Sequence, residues 1–66
     1  MQDYFFTFGV GQEHAYQYVR ITASDFSTAR NIMFNKYGEE WAFQYGSLEE
    51  VHPSDRNELE HLIEED

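Results

Sequence analysis

A chain of 66 residues without cysteine has no disulfide, thiolate metal site or thiol nucleophile to draw on, and at this length only about 60% of the unfolded surface is buried on folding. Four basic and 13 acidic side chains leave a net charge of −9, which disfavours direct contact with the phosphates of DNA or RNA. No apolar run approaches the roughly 18 residues of a membrane span, and no charged-then-apolar leader opens the chain, so the expectation is one small cytoplasmic domain, residues 1–66, with no membrane partner.

The first predicted element is Asp3-Tyr4-Phe5-Phe6-Thr7-Phe8, a short aromatic run ended by Gly9-Val10-Gly11. Its nearly continuous apolar character suits a central strand. A second strand over 15–22 shows Ala15, Gln17, Val19 and Ile21 on one face and Tyr16, Tyr18, Arg20 and Thr22 on the other, and a loop through His14 joins the two as a hairpin. Ser24 or Asp25 can cap a helix over 25–37, whose Phe26, Ala29, Ile32, Met33 and Tyr37 form one apolar stripe. Gly38 follows at the position that favours a left-handed residue, and Phe34 falls off the stripe. A third strand, 41–45, places Trp41, Phe43 and Tyr45 on one face.

The composition then changes. Aromatics make up 18% of the chain and all lie between Tyr4 and Tyr45, whereas residues 39–66 hold the whole excess of negative charge. The reading divides the domain into an aromatic αβ core, 1–46, and an acidic C-terminal segment, 47–66. Pro53, Ser54 and the Asp55/Glu58 pair resemble a capping box and predict a short acidic helix from about 54 to 64, with Leu59, Leu62 and Ile63 as its apolar side. Strand, strand, helix, strand resolves into an α+β fold: a three-stranded antiparallel sheet of order 2-1-3 with one packed helix and this terminal helix. Phe6, Phe8, Val19, Ile21, Ala29, Met33 and Phe43 are the expected core.

The order of aromatic residues resembles that of short phage- and prophage-encoded proteins. The shared pattern is the opening Tyr4-Phe5-Phe6-Thr7-Phe8-Gly9, then Ala29-Arg30 with Met33, Tyr37-Gly38, Trp41-Ala42 and Tyr45, covering residues 3–46. The resemblance implies a setting, a phage-type accessory protein in a bacterial cytoplasm, and no activity.

Residue chemistry points away from catalysis. His61 has Glu58 and Glu65 at helical spacing, but one histidine beside surface glutamates falls short of the three or four ligands of a zinc site. Glu39-Glu40, Glu49-Glu50 and Glu64-Glu65 are sequence neighbours whose side chains diverge, unlike the facing carboxyls of acid/base catalysis. Ser24 suits a cap better than a nucleophile, and Gly9-Val10-Gly11 suits a turn better than a phosphate loop. No cofactor, metal or catalytic residue is assigned.

Two features point to protein partners. The aromatic supply exceeds what one sheet face can bury, so either the last helix covers the second face or another protein does. The carboxylate block either keeps the chain in solution or imitates part of a phosphate backbone. The expected function is a small acidic inhibitor or modulator of a host or defence protein with a basic surface, in the anti-restriction or anti-CRISPR category. Glu49, Glu50, Asp55, Glu58, Glu60, Glu64 and Glu65 would supply charge, and Tyr16, Tyr18 and Phe34 would be aromatic anchors. The alternative is a structural module that forms a homodimer through the exposed aromatic face.

Overall fold

The computed structural model describes residues 1–65; Asp66, counted above in the acidic segment, lies outside the described residues. The chain forms β1 (Gln2–Thr7), β2 (Tyr18–Ala23), α1 (Phe26–Tyr37), β3 (Phe43–Tyr45) and β4 (Glu58–Ile63), with 3-10 turns at Leu48–Glu50 and Pro53–Asp55. One mixed sheet has the order β3-β1-β2-β4. β1 is antiparallel to both β2 and β3, so the expected 2-1-3 arrangement is present, extended by a fourth strand parallel to β2.

Local chemistry accounts for the first half. Gly9, Gln12 and His14 each start a turn, their carbonyls accepting from Gln12, Ala15 and Gln17, and these turns delay β2 to Tyr18 rather than the expected residue 15. Within β2 the expected alternation holds: Val19 and Ile21 are buried on the face under α1, with Tyr18, Arg20 and Thr22 on the other. Asp25 caps α1, its carboxylate accepting from Thr28 N at 2.8 Å and thereby held below the usual carboxylate range. Gly38, at φ +60, ends the helix by donating to the Phe34 carbonyl at 2.8 Å.

The core between α1 and the sheet contains Tyr4, Phe6, Phe8, Val19, Ile21, Ala23, Ala29 and Met33. Phe43 is a correction. It is 56% exposed, because β3 is only three residues long and its pairing with Thr7 turns Phe43 to the second face. Trp41 precedes the strand and goes the other way, packing edge-on against Phe6 with centroids 5.3 Å apart. The second face has its own small cluster, Phe5, Tyr18 and Val51 with Tyr45 and Leu48 around it. Its cover is the pair of 3-10 turns, tied down by Arg56, which donates to the carbonyls of Val51 and Glu49 at 2.9 and 3.0 Å.

The acidic terminal helix expected over 54–64 is a strand. Leu59, Leu62 and Ile63 have helical spacing, and a bulge explains how a strand carries it. Tyr18 pairs with Glu58 and Val19 with Glu60, so Leu59 is an extra residue that shifts the phase of β4. After the shift Glu60 and Leu62 share the helix side with Val19 and Ile21, and Leu59 and Leu62 both pack on the main core. A helix here could bury only three apolar side chains, whereas the strand also gains a backbone ladder with β2. The strand is the better use of the segment.

Stability should therefore separate Phe6 from Phe43. Phe6→Ala is expected to cost about 3–5 kcal/mol, which for a domain of this size approaches its whole stability. Phe43→Ala should cost less than about 1 kcal/mol. Urea unfolding followed by circular dichroism measures both, and equal losses would show that Phe43 is packed.

Candidate partner-binding surface

The acidic residues expected to meet a partner divide into two groups. Glu50 accepts from the backbone N–H groups of Gly46 and Ser47 at 3.0 and 3.2 Å and so fixes the first 3-10 turn. Glu58 pairs with Arg20 at 3.4 Å. Glu64 accepts from the N–H and hydroxyl of Ser24 at 2.8 and 3.0 Å, tying the end of β4 to the start of the helix. Glu60, on the α1 side of the sheet, accepts from Lys36 Nζ at 2.5 Å and from the Tyr37 hydroxyl. These four hold the fold together. Glu49 and Glu65 are exposed and Asp55 is half-buried.

The aromatic anchors divide as well. Tyr18 is buried, edge-on to Phe5 at 5.6 Å, and its ring is used inside the protein rather than offered to a partner. Phe34 is 37% exposed and leans on Trp41 at 5.2 Å, with the Arg30 guanidinium 5.4 Å from its ring centre. Tyr16 is 53% exposed and its φ is +70, an uncommon conformation for an aromatic residue. Asn57 secures it from the entry to β4, its amide donating to the Tyr16 carbonyl at 3.0 Å. Sequence reading could not find this strain, because nothing in residues 14–17 requires a left-handed residue.

His61 also has new neighbours. The strand removes the helical grouping with Glu58 and Glu65 and sets His61 beside Arg20 and Thr22. Arg20 can only donate, so His61 Nδ1 accepts from it at 3.3 Å and Nε2 donates to Thr22 Oγ1 at 2.7 Å. The Thr22 hydroxyl donates in turn to Asp3 at 2.6 Å. The imidazole thus donates a hydrogen bond to Thr22 and accepts one from Arg20. Among the described residues no three His, Asp or Glu side chains group to hold a metal ion, and no helix is long and apolar enough to cross a membrane.

Every cation is engaged within the chain. Arg20 faces Glu58, Asp3 and His61, Lys36 holds Glu60, Arg56 holds two carbonyls, and Arg30 lies against Phe34 and Trp41. Glu13, Glu39, Glu40, Glu49 and Glu65 remain on the exterior. Comparison with known proteins matched no family model, no curated protein and no solved structure.

The Glu60 cluster sets a pH dependence. Burial, then the bond to Glu60 and its charge, push the Tyr37 phenol above its ordinary range. Burial alone would raise Glu60, but the bonds from Lys36 and Tyr37 outweigh it and hold that carboxyl below its ordinary range. A phenol raised on folding contributes stability that is full below roughly pH 10 and lost as pH rises through the folded value. A carboxyl lowered on folding contributes stability that is full above about pH 4.3 and lost as pH falls through the folded value. Tyr37→Phe should flatten the alkaline limb of a melting-temperature profile, and Glu60→Gln should lower the melting temperature at neutral pH and flatten the acid limb. Unchanged profiles for both variants would mean that the cluster contributes nothing to folding.

Proposed function

We propose that this protein is a small acidic binding protein of phage type that occupies the basic surface of a host or defence protein in a bacterial cytoplasm and inhibits or modulates it. The category is that of anti-restriction or anti-CRISPR proteins, with carboxylates standing in for nucleic-acid phosphates. The proposal assigns no catalysis. The observation that carries it is the imbalance of surface charge: among the described residues Arg20 and Lys36 are paired with carboxylates of the chain, Arg30 and Arg56 are the two cations left without a carboxylate partner, and glutamates from several segments stay exterior. A net charge of −9 on so small a body speeds encounter with a basic partner and repels free nucleic acid.

Glu13, Glu39, Glu40, Glu49 and Glu65 do the electrostatic work in this reading, in place of the four glutamates that hold the fold. Tyr16 supplies an aromatic anchor. Its left-handed backbone costs on the order of 1 kcal/mol and keeps a large ring in solvent, a combination that favours a binding role over a structural one. The phage setting rests on the aromatic pattern of residues 3–46.

The test separates charge from fold. Joint replacement of Glu39, Glu40, Glu49 and Glu65 by glutamine removes four charges whose carboxylates make no hydrogen bond among the described residues, so the melting temperature should hold or rise slightly. Capture of a partner from bacterial lysate, with and without phage infection, should fall strongly, and added salt should reproduce the loss with the parent protein. Tyr16→Gly should change stability by less than about 1 kcal/mol, since relief of strain offsets the entropy of glycine. It should nevertheless weaken capture. Undiminished capture by the glutamine variant would refute the phosphate-mimic reading.

A further inference from the structure

β4 is an edge strand, with β2 on one side and no other strand of the described residues on the other. The N–H of Glu64 donates to the Thr22 carbonyl at 2.8 Å, so Glu64 and, by alternation, Leu62 and Glu60 direct their backbone groups toward β2. His61 and Ile63 then direct theirs outward. Beside this edge runs an open groove of about 550 Å³ between α1 and β4, with Ile32 and Leu62 as apolar lining and Asn35, Lys36 and Glu65 among its polar residues. Ile63, 60% exposed, is also among the groove's lining residues, and its pairing with Thr22 sets its side chain toward the second face. An unfilled ladder position thus has apolar side chains on both faces.

We propose that the outer edge of β4 accepts an extended segment of a partner protein as a fifth strand, and that this segment alternates Lys or Arg with apolar residues. The inference rests on the proposed function for the sign of the partner's charge and adds where the partner's chain lies. A strand docked here hydrogen-bonds to the backbone of His61 and Ile63 and covers Ile32 and Leu62. Its cations meet Glu65, exposed just beyond β4 and part of the groove lining, within the field of a chain of net charge −9. A second copy of this chain is a poor occupant. Two β4 edges paired about a two-fold near His61 would set Glu58 of one against Glu64 of the other, and each copy carries −9.

The probes are a capped Lys-Val-Lys-Val-Lys-Val-Lys peptide, the same peptide N-methylated at alternate residues along one edge, and the corresponding Glu-Val peptide. Titrated into the 15N-labelled protein, the Lys-Val peptide should shift amides at 60–65 and at Ile32, Asn35 and Lys36. N-methylation should weaken binding by about tenfold or more, and the Glu-Val peptide should not bind. Ile63→Pro, which deletes an outward N–H on an edge strand while leaving the inward bonds of Leu62 and Glu64, should weaken the Lys-Val peptide similarly. Should that variant not fold, the N-methylated peptide still decides the matter on the parent protein. Equal binding of the methylated peptide, with shifts spread over Glu13, Glu39, Glu40 and Glu49, would overturn edge docking yet leave the acidic-surface reading standing. Binding of the Glu-Val peptide at the same site would overturn the basic occupant. No binding of any peptide would overturn the docking proposal alone, since partner capture tests the function separately.

Discussion

The central strand sets the demand that the rest of the chain meets. β1 has pairing partners on both edges and apolar side chains on both faces: Tyr4 and Phe6 point toward α1, and Phe5 points away. A helix can cover only one face. In a chain of 66 residues the other cover must come from whatever remains, and what remains is the acidic segment. That segment turns back twice, placing Leu48 and Val51 on Phe5 and Tyr18, and then enters the sheet as β4, where Leu59 and Leu62 finish the core under α1. The charged end is therefore not an appendage.

This dual use divides the carboxylates by position. Where the segment touches the core, each glutamate has a partner waiting: backbone amides donate to Glu50, Lys36 and Tyr37 to Glu60 and Ser24 to Glu64, and Arg20 forms an ion pair with Glu58. Glu60 is the most constrained, since it occupies a position on the helix side where an unpaired carboxylate would be costly. Where the segment faces solvent, as at Glu49 and Glu65, no side-chain hydrogen bond or ion pair forms among the described residues. Because the first group takes up two of the four cations, Arg20 and Lys36, the second group contributes most of the outward negative field. Structure and electrostatic presentation are thus carried by different glutamates within the same short stretch.

How far this was legible in the sequence follows from which signals are local. The hairpin, the capped helix with Gly38 behind it, and the burial of Phe6, Val19, Ile21 and Met33 rest on alternation, spacing and caps, and these appear in the structure with small shifts of boundary. β4 was hidden because a bulge gives a strand the i, i+3, i+4 spacing of a helix, and no single-residue signal marks where a bulge will form. Phe43 departs from its expected burial because Trp41 lies outside the strand and packs on the opposite face, so alternation from it does not carry into β3. At the candidate surface, residue type was informative but engagement was not. Glu58 and Glu65 look alike in sequence, and only the approach of Arg20 from β2 distinguishes them.

Placing β4 last in the sheet creates a problem that its charges also address. An uncapped edge with Ile63 exposed invites pairing with further copies of itself, and no proline, covering loop or helix blocks its outer side among the described residues. Negative charge opposes it instead, because two paired copies each bring a net charge of −9 and pairing about His61 sets Glu58 against Glu64. A steric block would exclude all strands alike. An electrostatic block excludes only those of the same sign, and it becomes an attraction when the incoming strand is basic. In the proposed reading, the charge distribution that opposes pairing of two copies is the one that leaves the edge open to a basic strand, so the same glutamates would disfavour self-pairing and select the partner.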